Sequence, residues 1–250
     1  MDPSVNDNEG TTAAGSVADA VAAMIMDELA PGTSLPSEAV LADRFGVSRL
    51  TLRESLKLLE GRGLVVLARG KKAVVREPDG AAFCDFLSML ISHEPKGLFD
   101  IIEVRLSLEV QAATLAAKRS TRASIAALES ALAGMRDAAG STGLTDPERE
   151  AAFHAADVAF HEAVALASGN RVLGALFEAM SGPLREGFHI SRRGHEQRGH
   201  TVFDTIAAHQ RILDCIREGN GRAAADAMRV HLKDTERDIR MALSRLARKR

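Results

Sequence analysis

Gly46-Val47-Ser48-Arg49-Leu50-Thr51-Leu52-Arg53-Glu54-Ser55-Leu56-Lys57-Leu58-Leu59-Glu60-Gly61-Arg62-Gly63-Leu64-Val65-Val66 reads as a turn, a helix and the first strand of a wing. Gly46 permits a sharp turn, and Ser48 is a good N-cap because its hydroxyl can accept a free N–H of the first helical turn. Leu52, Leu56 and Leu59 recur at helical spacing and form one apolar face. Arg49, Thr51 and Arg53 lie off that face near the helix N-terminus. A helix that enters a DNA major groove leads with such residues, Arg for guanine edges and phosphates, Thr for phosphates or a thymine methyl. Taken alone, the stretch also fits an ordinary amphipathic helix with a solvated basic face, and its surroundings decide between the two.

Upstream, Leu35-Pro36-Ser37-Glu38 opens a short helix through Phe45, with Ser37 as its cap and Leu41 and Phe45 facing a core. A short helix, a tight turn and a longer helix with Arg and Thr at its start is the helix-turn-helix pattern. Downstream, Leu64–Leu67 and Ala73–Arg76 are β-rich runs joined by Ala68-Arg69-Gly70-Lys71-Lys72, a basic hairpin tip suited to a minor groove or to phosphates. Residues 36–76 hold nine Lys/Arg against four Asp/Glu, a local charge of +5 in a chain whose total is −2. The positive charge is concentrated where an electrostatic footprint for DNA belongs.

On these residues the segment from Ser16 to Arg76 resembles the winged helix of the GntR family of bacterial transcription regulators. The matching pieces are Leu35-Pro36-Ser37-Glu38, Leu41-Ala42, Gly46-Val47-Ser48-Arg49, Thr51-Leu52-Arg53-Glu54, Leu58, Leu64 and Gly70. The resemblance implies DNA contacts from Ser48, Arg49, Thr51 and Arg53, and from Arg69, Gly70 and Lys71 in the wing. Two departures stand out. Ala39 replaces an Arg usual in the short helix, and Leu50 stands where a small polar residue is common.

The chain of 250 residues has no Trp and no Tyr, and Ala and Leu dominate, which favours helices. Cys84 and Cys215 form neither a disulfide framework nor a metal pattern and read as reduced, buried thiols. No apolar run approaches the ~18 residues of a membrane span. Asp2, Asp7 and Glu9 replace the basic region of a secretory signal, so the reading is a cytoplasmic protein with no membrane partner. Residues 1–15 read as a disordered tail, polar and aperiodic. Ser16 is expected to cap a helix from Val17 to Ala30, ended by Pro31-Gly32. The fold class is mainly α: a winged helix-turn-helix over 16–78, then an all-helical bundle of six or seven helices over 79–250 after the linker Glu77-Pro78-Asp79-Gly80. The bundle segments fall near 81–93, 97–119, 121–140, 147–168, 170–190, 199–219 and 221–247, with breaks that include Pro95-Lys96-Gly97 and Arg193-Gly194.

Inside the bundle, Phe153, Asp157, Phe160 and Val164 share one narrow arc at ~100° per residue, with His161 at its edge. An Asp on an apolar face is costly unless paired or bound to a cation. His209 sits among Val202, Ile206, Leu213 and Ile216, and His231 among Ala224, Ala227, Met228, Leu232 and Thr235. One Asp and three His on three helices make a first shell for a divalent transition metal, with Zn²⁺ preferred and Ni, Mn or Fe as alternatives. The other reading is a hydrogen-bonded polar core. His93, His154, His189, His195 and His200 are decoys or supporting residues.

From Phe99 to Arg250 the chain resembles the all-helical FCD ligand-binding domain of the FadR subfamily of GntR regulators. The matching pieces are Glu103-Val104-Arg105-Leu106-Ser107-Leu108-Glu109, Ala116-Ala117, Asp157-Val158-Ala159-Phe160-His161, Ser168-Gly169-Asn170, His209, and Ala223…Ala227-Met228…His231-Leu232. In metal-containing members an Asp and three His hold the metal, which here implies Asp157, His161, His209 and His231. The resemblance also implies a small carboxylate, hydroxy acid or sugar acid as effector. Arg105 is either a carboxylate clamp or the partner of Glu109 one turn on, and Asn170 is a candidate polar contact.

The function read from this is a DNA-binding transcription regulator, a repressor in the commoner family arrangement, with activation as the alternative. It would act as a homodimer on a palindromic operator, with an effector at the metal pocket shifting operator affinity. The rivals are an architectural DNA-binding protein with a structural metal and a metal-dependent hydrolase. The hydrolase lacks an evident general base and leaves the basic winged helix unexplained.

Overall fold

A computed structural model describes residues 12–77, 81–92, 97–143 and 145–247. It divides the chain into two compact units, Met1–Pro78 and Asp79–Arg250. Residues 1–11 of the expected tail, 78–80 of the expected linker, and His93, Pro95 and Lys96 lie outside the described residues.

The first unit runs α1 (Ala13–Glu28), α2 (Glu38–Arg44), α3 (Arg49–Gly61), β1 (Val65–Val66) and β2 (Val74–Val75). The helix-turn-helix forms as the pattern predicts. Ser37 Oγ accepts from Val40 N at 3.4 Å to cap α2, and Ser48 Oγ accepts from Thr51 N at 3.1 Å to cap α3. Gly46 makes the turn between them with a φ of +65°, a backbone region that a side chain disfavours. Leu52, Leu56 and Leu59 are buried and pack with Leu35, Leu41 and Val65 against Val17, Val21 and Ile25 of α1. Each such Leu is worth roughly 1.5–3 kcal/mol of burial. β1 and β2 pair antiparallel, Val65 opposite Val75, and the Thr33–Leu35 segment bonds to the outer edge of β2.

The start of α1 corrects the sequence reading. Thr12, not Ser16, is the cap, its hydroxyl accepting from Gly15 N at 3.1 Å, and the helix ends at Glu28 rather than Ala30. Residues 12–15, read as part of a disordered tail, are ordered because Ala14 and Gly15 are small enough to be buried, and Ser55 Oγ donates to Ala14 O at 2.8 Å.

The second unit holds α4 (Ala81–Ser92), α5 (Gly97–Arg119), α6 (Arg122–Gly140), α7 (Asp146–Ala167), α8 (Arg171–Gln197), α9 (Val202–Arg217) and α10 (Gly221–Ala247), seven helices among the described residues. α10 packs along α5, α8 and α9, while α6 lies on α7. One apolar cluster gathers Leu128, Leu132, Met135, Phe160, Ile212, Leu213 and Met228, and a second gathers Ile101, Ile102, Phe177, Met180 and Ile239.

The expected break at Arg193-Gly194 is absent, and α8 continues to Gln197. Gly194 serves a close approach instead. A Cβ there would fall 1.7 Å from the Asp238 carbonyl oxygen on α10. Gly194→Ala is therefore expected to push the two helices apart and cost about 3 kcal/mol, the upper part of the overpacking range. Gly140→Ala, which meets open space, should leave stability unchanged or slightly raised. Urea unfolding followed by circular dichroism checks both, and equal midpoints for the two variants would contradict the tight crossing.

Candidate nucleic-acid interface and metal centre

Capping sets the start of α3. Ser48 is committed to the cap, and its hydroxyl also lies 2.8 Å from Thr51 Oγ1, so the two hydroxyls satisfy each other. Arg53 Nε donates to Glu38 Oε2 at 2.7 Å across an exposed pair. Such a pair is worth at most about 1 kcal/mol and is easily exchanged for a phosphate. Arg49, Arg69, Gly70 and Lys71 are exposed, the last three at the tip of the wing, where Lys71 N closes the turn on Ala68 O at 3.0 Å. Arg49, Arg69 and Lys71 make no ion pair among the described residues.

In the helical unit, α7, α9 and α10 each aim one imidazole at a common point. His161, His209 and His231 are 1%, 0% and 8% exposed, so water does not satisfy them. His161 Nε2 lies 3.3 Å from His209 Nε2 and 3.2 Å from His231 Nε2, and Asp157 Oδ1 lies 3.2 Å from His209 Nε2. Two of the other ring nitrogens face acceptors elsewhere. His209 Nδ1 lies 2.8 Å from Thr205 O, which can only accept, and His161 Nδ1 lies 2.5 Å from Glu109 Oε2. His161 therefore carries its proton on Nδ1 and turns an Nε2 lone pair toward the shared point, while His209 Nε2 faces both that point and the Asp157 carboxylate. Nitrogens crowded at these distances need a proton or a cation between them. A tetrahedral shell with metal–ligand bonds of about 2.0–2.1 Å has edges of about 3.3 Å. The three histidines could hold such an ion, with Asp157 alongside.

Behind the histidines sits Glu109, 2% exposed. Arg105 donates to it through Nε, with Nη2 at 3.5 Å from Oε2. Burial acts to raise the Glu109 carboxyl, but Arg105 and His161 outweigh it and bring it down to about 2. Asp157 is likewise held well below the usual carboxylate range. Burial opposes this, and the hydrogen bond and charge of His209 dominate it. Burial lowers His161 against the pull of Glu109, and it lowers His231 further, assisted by the neighbouring imidazoles.

A cavity of about 290 Å³ opens from this centre between α5, α7, α8, α9 and α10. Asp157, His161, His231 and Arg105 line one side, and Ile101, Phe153, Phe177 and Ile239 supply apolar walls. Of its two sequence readings, Arg105 shows the pairing with Glu109, and it also lines the cavity. Asn170 is not brought there. It caps α8, its Oδ1 accepting from Val172 N and Leu173 N at 3.1 and 3.4 Å. A second polar group lines the cavity wall. His195 Nδ1 lies 3.0 Å from Asp238 Oδ2 and His195 Nε2 lies 3.0 Å from Thr201 O, while Arg198 donates to Asp238 Oδ1 at 2.6 Å. The Asp238 hydrogen bond raises His195 despite partial burial.

Residues 13–75 match the model of the gntR family of bacterial regulatory proteins, and residues 100–234 match the FCD domain. This chain belongs to the GntR family. The regulator is 32% identical over 212 residues to the HTH-type transcriptional regulator LutR of Bacillus subtilis (strain 168), covering 84% of this chain and 92% of that protein. It is 30% identical over 214 residues to the galactonate operon transcriptional repressor of Escherichia coli (strain K12), covering 84% and 89%. A solved structure described as Streptococcus agalactiae GntR superposes with a TM-score of 0.67 at 28% identity, covering 88% of this chain and 97% of that one. The families and relatives are DNA-binding transcription regulators, not enzymes, and the FCD domain is the effector-binding part. No helix among the described residues is long and apolar enough to cross a membrane.

Sequence reading missed Glu109 as the group that orients His161, because it appears there only as a partner for Arg105. It also missed the His195–Asp238–Arg198 group. Asp238 follows His231 by seven residues, so two helical turns on one face were a usable signal.

The buried imidazoles predict a pH dependence. In the metal-free regulator, the unfolded chain binds protons on His161 and His231 below their ordinary 6.5 while the folded chain does not. Stability of the helical unit should therefore fall as pH drops below about 6.5, by up to about 1.4 kcal/mol per pH unit for each imidazole. His195 runs the other way: its contribution is fully present below 6.5 and is lost as pH rises through its raised folded value. His195→Gln should remove the gain in stability that accompanies the fall in pH from that raised value to 6.5, and leave the slope below 6.5 unchanged. Urea midpoints between pH 8 and 5 test this, and a flat profile for the native protein would contradict neutral buried imidazoles.

Proposed function

We propose that the regulator is a repressor that binds a palindromic operator as a homodimer and releases it when a small carboxylate enters a metal-containing cavity. The observation that carries the reading is the convergence of the His161, His209 and His231 Nε2 atoms beside Asp157 at the cavity wall. When bound, a divalent metal, Zn²⁺ by preference given the nitrogen-rich set, supplies open positions for oxygen donors. Arg105 is the protein's own contribution to carboxylate binding. Glu109 neutralises its charge in part and fixes its direction, so the guanidinium faces the cavity already oriented. The apolar walls exclude water around the polar end of the effector.

On the DNA side, Arg49, Thr51 and Arg53 supply base or phosphate contacts, Ser48 holds the helix start, and Arg69, Gly70 and Lys71 bring the wing to the minor groove. Arg53 exchanges its exposed pairing with Glu38 for the duplex. A relative named as the galactonate operon repressor is in keeping with a hydroxylated carboxylate and negative control, while another is named an activator of the glc operon.

Elemental analysis of protein purified without chelator should find about one divalent metal per chain, lost in Asp157→Ala and in His209→Ala. With galactonate as the first probe, operator release should require the metal. Arg105→Lys, which keeps a charge beside Glu109 but loses the fork, should retain metal and weaken the response by roughly 10-fold or more. Absence of metal from the native protein, or its retention in both variants, would overturn the metal reading. Full response in Arg105→Lys would overturn the clamp.

A further inference from the structure

The outward face of α3 does not centre on the residues that the basic pattern singles out. Its buried stripe is Leu52, Ser55, Leu56 and Leu59. At about 100° per residue, the direction opposite that stripe passes within roughly 20° of Leu50. Thr51 lies about 90° to one side with its hydroxyl engaged by Ser48, and Arg53 about 70° to the other, paired with Glu38. Leu50 is 69% exposed, in the first turn of the helix; Arg49 precedes it, and along the same outward face Glu54 follows one turn on and Lys57 two turns on. A large apolar side chain at the crest of a helix within a segment of charge +5 is out of place on a face meant only for water or phosphates.

A recognition helix presents its N-terminal residues to base edges in the major groove, and the cations beside Leu50 would fix it there on the phosphates. Leucine can neither donate to nor accept from a base edge. The apolar group that the major groove offers is the C5-methyl of thymine, which sets T·A apart from the other pairs. We propose that Leu50 is a base-reading residue of this regulator, and that it selects a thymine in each operator half-site by packing on its methyl group. This deepens the operator-binding reading: Arg49 and Lys57 supply charge and position, and Leu50 supplies sequence preference.

The test starts from duplexes selected out of a randomised DNA pool by the full-length wild-type protein. Each thymine in the selected site is replaced in turn by uracil, which removes the methyl alone, and affinities are measured for wild type and Leu50→Ala. One symmetry-related thymine pair should stand out, its uracil form binding wild type about fourfold more weakly per half-site, as expected for one buried methyl. Leu50→Ala should bind thymine and uracil forms of that pair equally. It should also keep wild-type affinity for random-sequence duplex, which separates lost base reading from a damaged fold. If no thymine methyl matters, or if uracil costs the same in both proteins, the proposal is overturned. A Leu50→Ala variant weakened equally on selected and random duplexes also overturns it. Failure of the wild type to enrich any sequence would instead strike at operator recognition itself.

Discussion

A carboxylate that is 2% exposed needs a counter-charge and polar partners, and Glu109 has the Arg105 guanidinium along its own helix and the His161 imidazole from α7. That constraint organises the helical unit. Glu109 lies 2.5 Å from Nδ1 of His161, and the ring's other nitrogen, Nε2, faces His209 and His231. Because Glu109 occupies Nε of Arg105, the guanidinium is held at the cavity wall instead of reaching for solvent. One buried acid thus orients both the nitrogen that faces the proposed metal and the cation that faces the proposed carboxylate. A hydrogen-bonded carboxylate behind a metal-binding imidazole also raises its basicity, an effect commonly worth 10–100-fold in affinity.

The apolar clusters explain why this polar assembly stays dry and shaped. Phe160 lies edge-on to His209 with ring centres 4.8 Å apart, and Phe177 stacks near His161 at 6.1 Å. Burial keeps His161 and His231 neutral and available as ligands, at the cost of acid sensitivity. On the opposite stretch of α10, the α8 backbone comes so close at Gly194 that Asp238 is sealed in, and it finds His195 and Arg198 as partners. With acceptors at both nitrogens, His195 favours its protonated form and ties the α8–α9 connection at Thr201 to α10.

Much of this was legible in residue order. Caps at Ser37 and Ser48, the turn at Gly46 and the leucine spacing gave the helix-turn-helix, because those signals are local. Asp157, His161, His209 and His231 were legible as inward-facing polar residues because each sits on an apolar stripe, and their reading as a metal set came from the resemblance. What was hidden depended on distance in space. Glu109 and His161 are 52 positions apart and meet only when α5 and α7 pack. Gly194 reads as a break in sequence because a glycine that ends a helix and one that admits a neighbouring backbone look alike until the neighbour is placed. Asn170 follows a helix end and precedes another, so its capping role competed with a ligand role that only the cavity's position could decide. Leu50 was noticed as a departure from pattern, and its place at the crest of α3 gives that departure a physical meaning.

The central claim is that three imidazoles oriented by Glu109, Thr205 and the surrounding core converge on one divalent metal. X-ray absorption at the edge of the metal in the loaded regulator reads the first shell directly. A shell of nitrogen and oxygen at about 2.0–2.1 Å, with the outer-shell scattering of three imidazoles and no sulfur, is the predicted result. Fewer than two imidazoles, or a sulfur neighbour from Cys84 or Cys215, would contradict it.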